Sequence, residues 1–289
     1  MKDHDMMTED VTSAEQDDMT KPQRLHAQSE APKWTAGHDL SLALIVVSIG
    51  VVGLLLAPTL AVTAWLLILA LLTAFTILAG HGVTGLWHGL LIDGRNKMSL
   101  SRLQTLLWTL LVLSGFLAAG LFNIATGQAD PLTIIVPPDL WLLMGISLTS
   151  LVSSPLIVNA KKAKPANGEE TSRTLAALKR QVKSKVQVVG QVVVNEQPED
   201  AHWSDMFRGS ETGNAAHLDL GKMQMFIFTL ILVLAYGAAL AALFADAQGK
   251  IGELPGLGSG MLILLGLSHA GYLANKVLPN GERLTPSSS

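Results

Sequence analysis

Two glutamines that stand one helical turn inside apolar segments are the first candidates for function in this sequence. Gln104 lies in SLSRLQTLLWT and Gln224 in DLGKMQMFIFT, each two residues after a basic residue, Arg102 or Lys222. A side-chain amide inside a membrane needs a partner or water, because an unpaired polar group in hydrocarbon is costly. The pair therefore predicts either an interhelical hydrogen bond that fixes packing or a polar ring that lines a solute path. The two bases are expected to reach the lipid headgroups as interfacial anchors.

Serines form a second group with helical spacing. Ser147, Ser150 and Ser154 follow an i, i+3, i+7 pattern, which puts them on one face of a helix. The matching residues of the last apolar segment are Ser268, Gly271, Asn275 and the adjacent His269. Small and hydroxyl residues let helices pack closely, which is one interpretation of both faces. The other is a hydrated path between them, with His269 as a proton-coupling group.

Signatures of catalysis and metal binding are absent from the sequence. The chain has no cysteine, which excludes thiolate chemistry and Cys-ligated metals. His81 and His88 lack a third ligand, and together with Trp87 they are interpreted as an interfacial anchor. HExxH, GxSxG, P-loop and dinucleotide-binding patterns do not occur. We therefore expect no enzyme, no cofactor and no metal, and a net charge of -3 gives no reason to expect a nucleic-acid partner.

Long uncharged stretches must position these residues, and they predict a protein of the lipid bilayer. Only 15% of the residues are charged, well below the roughly 25% usual in soluble domains. Stretches without Asp, Glu, Lys or Arg cover 40–92, 103–129, 140–160, 223–245 and 254–275. A span takes about 20 residues, and Pro58 divides the first stretch into two. Six transmembrane helices result.

The segments around the two glutamines predict an internal repeat. At an offset of 120 residues, Gln104 matches Gln224, and the match continues into the following apolar segment, where Ser147 pairs with Ser268 after a one-residue slip. Each unit contains two spans, so both copies must enter the membrane in the same direction as parallel repeats. Ser99 and Asp219 precede the units as expected N-caps.

The polar segments predict the orientation and a small insert. Lys and Arg concentrate in the N-terminal tail, the central segment and the C-terminus, which places both termini in the cytoplasm. Within the central segment, residues 169–185 suit a helix on anionic lipid, and VQVVGQVVVN suits a strand or hairpin arm with Gly190 as a bulge. The polar loop that follows contains Trp203 and Phe207. These aromatic residues predict either a docking surface for a cytoplasmic protein or a packed lid over the start of the second repeat.

The paired motifs SLSRLQTLLWT with LLMGIS and DLGKMQMFIFT with LLGLSHAGYLANK also carry a family resemblance. Over residues 92–280 the chain resembles an uncharacterised bacterial integral membrane protein family with a duplicated two-helix unit. The resemblance implies a location in the bacterial inner membrane. It assigns no functional residue.

Together these patterns predict an all-α membrane protein of six transmembrane helices, with two parallel-repeat hairpins and a small cytoplasmic α+β insert. The expected segments are a disordered tail (1–39), spans 1 and 2 (40–92), repeat 1 (93–160), the insert (161–217), repeat 2 (218–279) and a disordered tail (280–289). One expected function is a pore or small-solute permeation subunit, assembled as a homo-oligomer. The alternative is a non-transporting scaffold or sensor that binds partners through its insert. An intramembrane enzyme is the weakest reading.

Overall fold

The computed structural model describes residues 34–181 and 185–277, and this part of the chain is mostly helical. Residues 1–33 of the expected N-terminal tail and all of the expected C-terminal tail (280–289) lie outside these residues. Helix α1 begins at Ala36 after Thr35, so residues 36–39 are helical although the sequence assigned them to the tail.

The first two helices form an antiparallel hairpin. Helix α1 covers Ala36–Leu56 and α2 covers Ala61–Thr84. The chain turns at Pro58, because proline lacks the N–H that would continue a helix. Helix α2 ends at Gly85, whose φ of 73° is the left-handed conformation that commonly closes a helix.

Four further helices pack beside this hairpin. They are α3 (Leu100–Ala125), α4 (Pro138–Lys162), α6 (Leu220–Ala245) and α7 (Ser259–Val277). Helix α3 contacts α1, α2, α4 and α6 and is the most buried of the long apolar helices. At the start of α6, the Asp219 side chain accepts a hydrogen bond from the backbone N–H of Lys222 and so caps this helix as expected. The Ser99 side chain makes no such bond at the start of α3.

Within residues 34–181 and 185–277, five helices are long and apolar enough to cross a membrane, namely α1, α2, α3, α4 and α6. In the last apolar stretch, residues 254–258 lie in a loop, and the apolar part of α7 covers only Ser259–Ala274. The loop is held by the preceding connection, since Ile135 donates its N–H to Gly252 and accepts one from Leu254. These hydrogen bonds shorten the helix that the sequence predicts, and a sixth span stays a prediction.

The outer surface of the bundle is apolar and its centre is aromatic and tightly packed. Large exposed apolar side chains on the long helices include Leu44, Val47, Leu55, Leu66, Leu148, Val152, Leu156, Leu230 and Leu234. Inside, Trp65 stacks on Phe244 with ring centroids 5.6 Å apart. Exposed apolar side chains are unfavourable in water but favourable against lipid tails. These helices are therefore compatible with a multi-pass membrane protein.

The segment between α4 and α6 forms a small α+β unit at the end of the bundle. It contains α5 (Gly168–Gln181) and an antiparallel hairpin of β1 (Val186–Val189) and β2 (Val192–Asn195). Gly190 lies in the hairpin turn with a φ of 57°, and an added Cβ would stand 2.2 Å from the carbonyl oxygen of Lys162. We call residues 185–219, the hairpin and the loop after it, the cap.

Candidate functional site

Polar side chains lie buried where α3, α4, α6 and α7 meet, in the half of the bundle nearer the cap. We call this set the polar seam, and it consists of Ser101, Gln104, Trp108, Ser147, Ser150, Thr229, Tyr236, Ser268 and His269. Its members come from the first turns of α3, the middle of α4, the middle of α6 and the middle of α7. The seam therefore brings together most of the polar residues that the sequence singled out.

Gln104 is fully buried and links α3 to α6. Its Nε2 donates to Oγ1 of Thr229, which in turn donates to the carbonyl oxygen of Met225 at 2.8 Å. The other amide atom, Oε1, has no partner among the described residues. The amide nitrogen of Gln104 thus makes the interhelical hydrogen bond, and its oxygen stays available as an acceptor.

Gln224, the expected counterpart of Gln104, lies on the outside of the bundle. The buried face of α6 passes through Met225, Thr229, Leu232 and Tyr236, and Gln224 falls one position off that face. Since neighbouring positions on a helix point about 100° apart, one position is enough to turn a side chain outward. The two glutamines therefore do not form a ring within one chain.

The serine face of α4 meets α7. Oγ of Ser150 lies 2.6 Å from Nδ1 of His269, and Ser154 accepts a hydrogen bond from Nζ of Lys276. Ser147 on α4 and Ser268 on α7 are buried as well. The side chain of Asn275 is outside those that the structure describes.

Several seam atoms have no hydrogen-bond partner among the described residues. They are Ser101 Oγ, Gln104 Oε1, Trp108 Nε1, Ser147 Oγ, Tyr236 OH, Ser268 Oγ and His269 Nε2. Native structures pair about 90% or more of their buried polar groups, and lipid offers no substitute for a missing partner. Atoms of this kind are ordinarily satisfied by buried water or by a polar ligand. The seam offers both donors and acceptors, and none of its side chains is an Asp, Glu, Lys or Arg.

Buried bases lie at the cap end of the seam, where we define the basic cluster as Arg95, Lys97, Lys222 and Lys276. Arg95 donates to Oγ of Ser210 at 2.7 Å, and Nζ of Lys222 reaches the same oxygen at 3.3 Å. Lys276 also donates to the hydroxyl of Tyr272 at 2.9 Å. The sequence predicts that Lys222 anchors at the headgroups. Its amine instead donates to two atoms of the cap, the backbone carbonyl oxygen of Arg208 and Oγ of Ser210.

Charges in the loop before α3 are set by burial and by pairing. Arg95 donates to Oδ2 of Asp93 from Nε at 3.0 Å and from Nη2 at 2.6 Å. Burial alone would raise the pKa of Asp93, but the charge and hydrogen bonds of Arg95 outweigh it and hold that pKa below its ordinary value. Burial lowers the pKa of Lys97 to about 8, despite the opposing charge of Asp205.

The cap is joined to the helices by buried bonds. Nζ of Lys161 lies 2.6 Å from Oε1 of Glu211 in a buried ion pair. Asn195 donates from Nδ2 to the carbonyl oxygen of Asn96 at 2.8 Å. Its backbone N–H donates to the carbonyl oxygen of Arg95 at 2.9 Å. These contacts fix the cap to the end of α4 and to the loop before α3.

The aromatic residues named in the sequence differ in their surroundings. Phe207 packs edge-on against Phe226 of α6 with centroids 5.1 Å apart, which anchors the cap. Trp203 is 60% exposed on the cap surface. Trp87 is exposed too and stacks on His81, with ring centroids 4.2 Å apart.

Arg102, the other expected anchor, donates to the carbonyl oxygen of Leu90 at 3.3 Å.

Away from the cap, the bundle is closed. Beyond Trp108 and Tyr236, the buried centre is mostly apolar, with Leu111, Leu240 and Phe244 in one core cluster. At the far end, Asn123 in the last turn of α3 donates to the carbonyl oxygen of Ile251 at 2.9 Å and accepts from its N–H at 2.8 Å, which ties the end of α3 to the loop after α6. The seam is therefore a half-length feature.

Sequence reasoning found the glutamine and serine parts of the seam but not the basic cluster or Tyr236. The only signal for Arg95 and Lys97 in the sequence is the run DGRNK between two apolar segments, which indicates a basic loop but not that its bases are buried. Among the described residues, no group of three or more His, Cys, Asp or Glu is arranged to hold a metal ion.

Comparison of the chain with family models, with curated proteins and with solved structures found no match. The function is therefore argued from the geometry of the seam, the cap and the basic cluster.

Proposed function

We propose that the protein is a permeation subunit that carries a small, uncharged polar solute across the membrane. The observation that carries the proposal is the set of buried seam atoms without partners, which offers hydrogen bonds to water or to a solute hydroxyl or amide. A neutral lining of donors and acceptors suits such solutes better than ions. The apolar half beyond Trp108 and Tyr236 acts as the closed gate of this conformation. The proposed role is not enzymatic.

The architecture that we propose for this role is a pair of parallel repeats. Helices α3 and α6 have the same length of 26 residues and begin 120 positions apart, at Leu100 and Leu220. A backbone bond precedes each helix, from Ser99 to Leu91 and from Asp219 to Phe207, both at 2.8 Å. These likenesses support a duplicated unit in which α7 is the sixth span.

The proposed setting is the bacterial inner membrane, with both termini and the cap in the cytoplasm. We further propose that the subunit forms a homo-oligomer. The exposed amide of Gln224 supports this, because an amide on the outside of an apolar helix is best paired by a second subunit or by the headgroup layer.

A solute-flux assay tests the permeation proposal. Purified protein in vesicles is compared with empty vesicles for the entry of water, glycerol and urea. Gln104→Leu removes the unpaired seam acceptor and is expected to change flux several-fold, whereas Thr149→Val removes a hydroxyl from an exposed position of α4 and should behave as wild type. Flux equal to that of empty vesicles for the folded wild-type protein would contradict the proposal.

The second candidate function is a non-transporting scaffold. The exposed Trp203 on a cap fixed by buried bonds favours it, since rigid exposed aromatic residues are common anchors in protein interfaces. Under this proposal, Trp203→Ser abolishes binding of a cytoplasmic partner while leaving the protein folded. Trp87→Ser, a change of an equally exposed tryptophan outside the cap, is the matched control.

A further inference from the structure

A cavity of about 150 Å³ lies near the seam, between the last three turns of α4 and the start of α3 with the loop that precedes it. Three bases line it: Arg95, Arg102 and Lys162. The one carboxylate in the lining, Asp93, is engaged by Arg95 at 2.6 Å. Three positive charges against one negative charge leave the cavity with a net charge of +2, so its chemistry favours an anion.

Two of these bases retain donors for a ligand. Arg102 uses Nη1 for a 3.3 Å bond to Leu90, and a guanidinium has five N–H donors. Lys162 makes a long contact of 3.5 Å from Nζ to the carbonyl oxygen of Gly94. Ser99 and Asn159 add a hydroxyl and an amide to the lining. Arginine and lysine beside small polar groups are typical of sites that bind phosphate oxygens.

The cavity lining also has an apolar part. It is formed by Leu151, Pro155 and Val158 on α4. The neighbouring side chains Val152 and Leu156 are exposed on the outer surface of this apolar helix, where lipid tails would lie. A cationic floor beside an apolar wall at the end of a spanning helix fits a molecule with a phosphate head and a hydrocarbon tail.

We propose that this cavity binds the phosphate headgroup of an anionic membrane phospholipid. The phosphate lies against Arg102 and Lys162, and an acyl chain follows Leu151, Pro155 and Val158 toward the outer face of α4. The ligand class is thus a phosphodiester from the bilayer, although free phosphate carries the same chemistry. This site is independent of solute flux, and it stands if the permeation proposal fails.

The headgroup would lie at the joint between α4 and the cap. Arg95, which lines the cavity, also bonds Ser210 of the cap. Lys162 carries the carbonyl oxygen against which the Gly190 turn packs. A bound lipid would therefore brace the contact between the cap and the helices.

Native mass spectrometry of the full-length protein in detergent tests the proposal. Phosphatidylglycerol, phosphatidylcholine and inorganic phosphate are added in separate titrations to wild type, to the double variant Arg102→Gln/Lys162→Gln, and to Lys164→Gln. Lys164 is exposed two residues beyond Lys162 and is not part of the cavity lining, so its substitution removes one positive charge without touching the site.

Wild type is expected to retain phosphatidylglycerol in preference to phosphatidylcholine, and the double variant to bind it about tenfold more weakly because two headgroup-facing charges are lost. Lys164→Gln should bind as wild type. Equal loss in Lys164→Gln would mean general surface attraction and would overturn the site, as would unchanged binding in the double variant. Inorganic phosphate that displaces the lipid at comparable concentration would overturn the lipid source. If the double variant does not fold, the single variants Arg102→Gln and Lys162→Gln replace it: each should weaken phosphatidylglycerol binding more than Lys164→Gln does, and losses equal to that of Lys164→Gln would overturn the site.

Discussion

At the scale of single residues, the seam depends on how each polar atom is satisfied. The bond between Ser150 and His269 links α4 to α7, and Gln104 links α3 to α6. Bonds of this kind between membrane helices contribute about 1 kcal/mol each. The unpaired atoms beside them are the larger anomaly, because their desolvation is not offset by a protein partner.

Ser150→Ala is expected to lower the free energy of unfolding by about 1 kcal/mol, since it leaves Nδ1 of His269 buried without its partner. Thermal or denaturant unfolding in detergent measures the change. Thr149→Ala removes a hydroxyl from an exposed neighbouring position, where Oγ1 bonds only the carbonyl oxygen of Gly145, and it should have a smaller effect. Equal effects of the two variants would show that the Ser150 bond contributes nothing specific.

Lys97 gives a prediction about pH. Its folded pKa of about 8 lies below the ordinary 10.5, so the unfolded chain holds the proton more tightly between these values. Burying the charged amine destabilises the fold below pH 8, and this penalty is relieved as pH rises from about 8 to 10.5. The groups that act on Lys97 are Asp205, Asp93, Arg95 and Arg208.

Lys97→Met should therefore be more stable than wild type at pH 7, and the difference should shrink as pH rises through that window. Chemical unfolding of both proteins at pH 7, 9 and 10.5 measures it. A stability difference that does not depend on pH would contradict the assigned pKa.

At the scale of elements, the sequence predicts where helices lie better than it predicts which way they face. The limits of α3 and α6 follow from capping residues and uncharged stretches, and the valine-rich run does form a hairpin. The inward face of α6 could not be predicted, because a helix that is apolar all round shows no periodic contrast. Gln224 was therefore placed with Gln104, although Met225 occupies the buried position. The late start of α7 depends on long-range loop bonds to Ile135, which leave no local signal.

The contact between the cap and α4 provides a test at this scale. Lys161→Met removes one of the two charges of the buried Lys161–Glu211 pair, and breaking such a pair is expected to cost about 3 kcal/mol. We expect faster proteolysis within the cap and a lower unfolding temperature. The double variant Lys161→Met/Glu211→Leu removes both charges and should recover most of the loss. A double variant as unstable as the single one would argue against a specific pair.

Gly190 tests the same contact through sterics. Gly190→Ala should loosen the hairpin from α4, because φ of 57° is unfavourable for alanine and the added Cβ would clash with Lys162. Gly94→Ala, where an added Cβ meets nothing within 4 Å, is the control. Proteolysis of the cap measures both, and equal rates in the two variants would contradict the packing.

At the scale of the whole molecule, apolar helices surround a polar half and an apolar half. The cap and the basic cluster close the polar half at one end, and the aromatic and leucine side chains close the other. Permeation requires that water-sized solutes reach the seam from the cap side. Because the sequence contains no cysteine, access of a reagent to the seam can be measured without background.

The most direct measurement is the accessibility of single cysteines to a small, neutral, polar methanethiosulfonate reagent. Ser147→Cys and Ser268→Cys replace seam hydroxyls, and Val112→Cys places a thiol in the buried apolar half. If the seam is hydrated, the two seam thiols react many times faster than the thiol at position 112. Seam thiols as unreactive as the one at position 112, in protein that remains folded, would contradict the account.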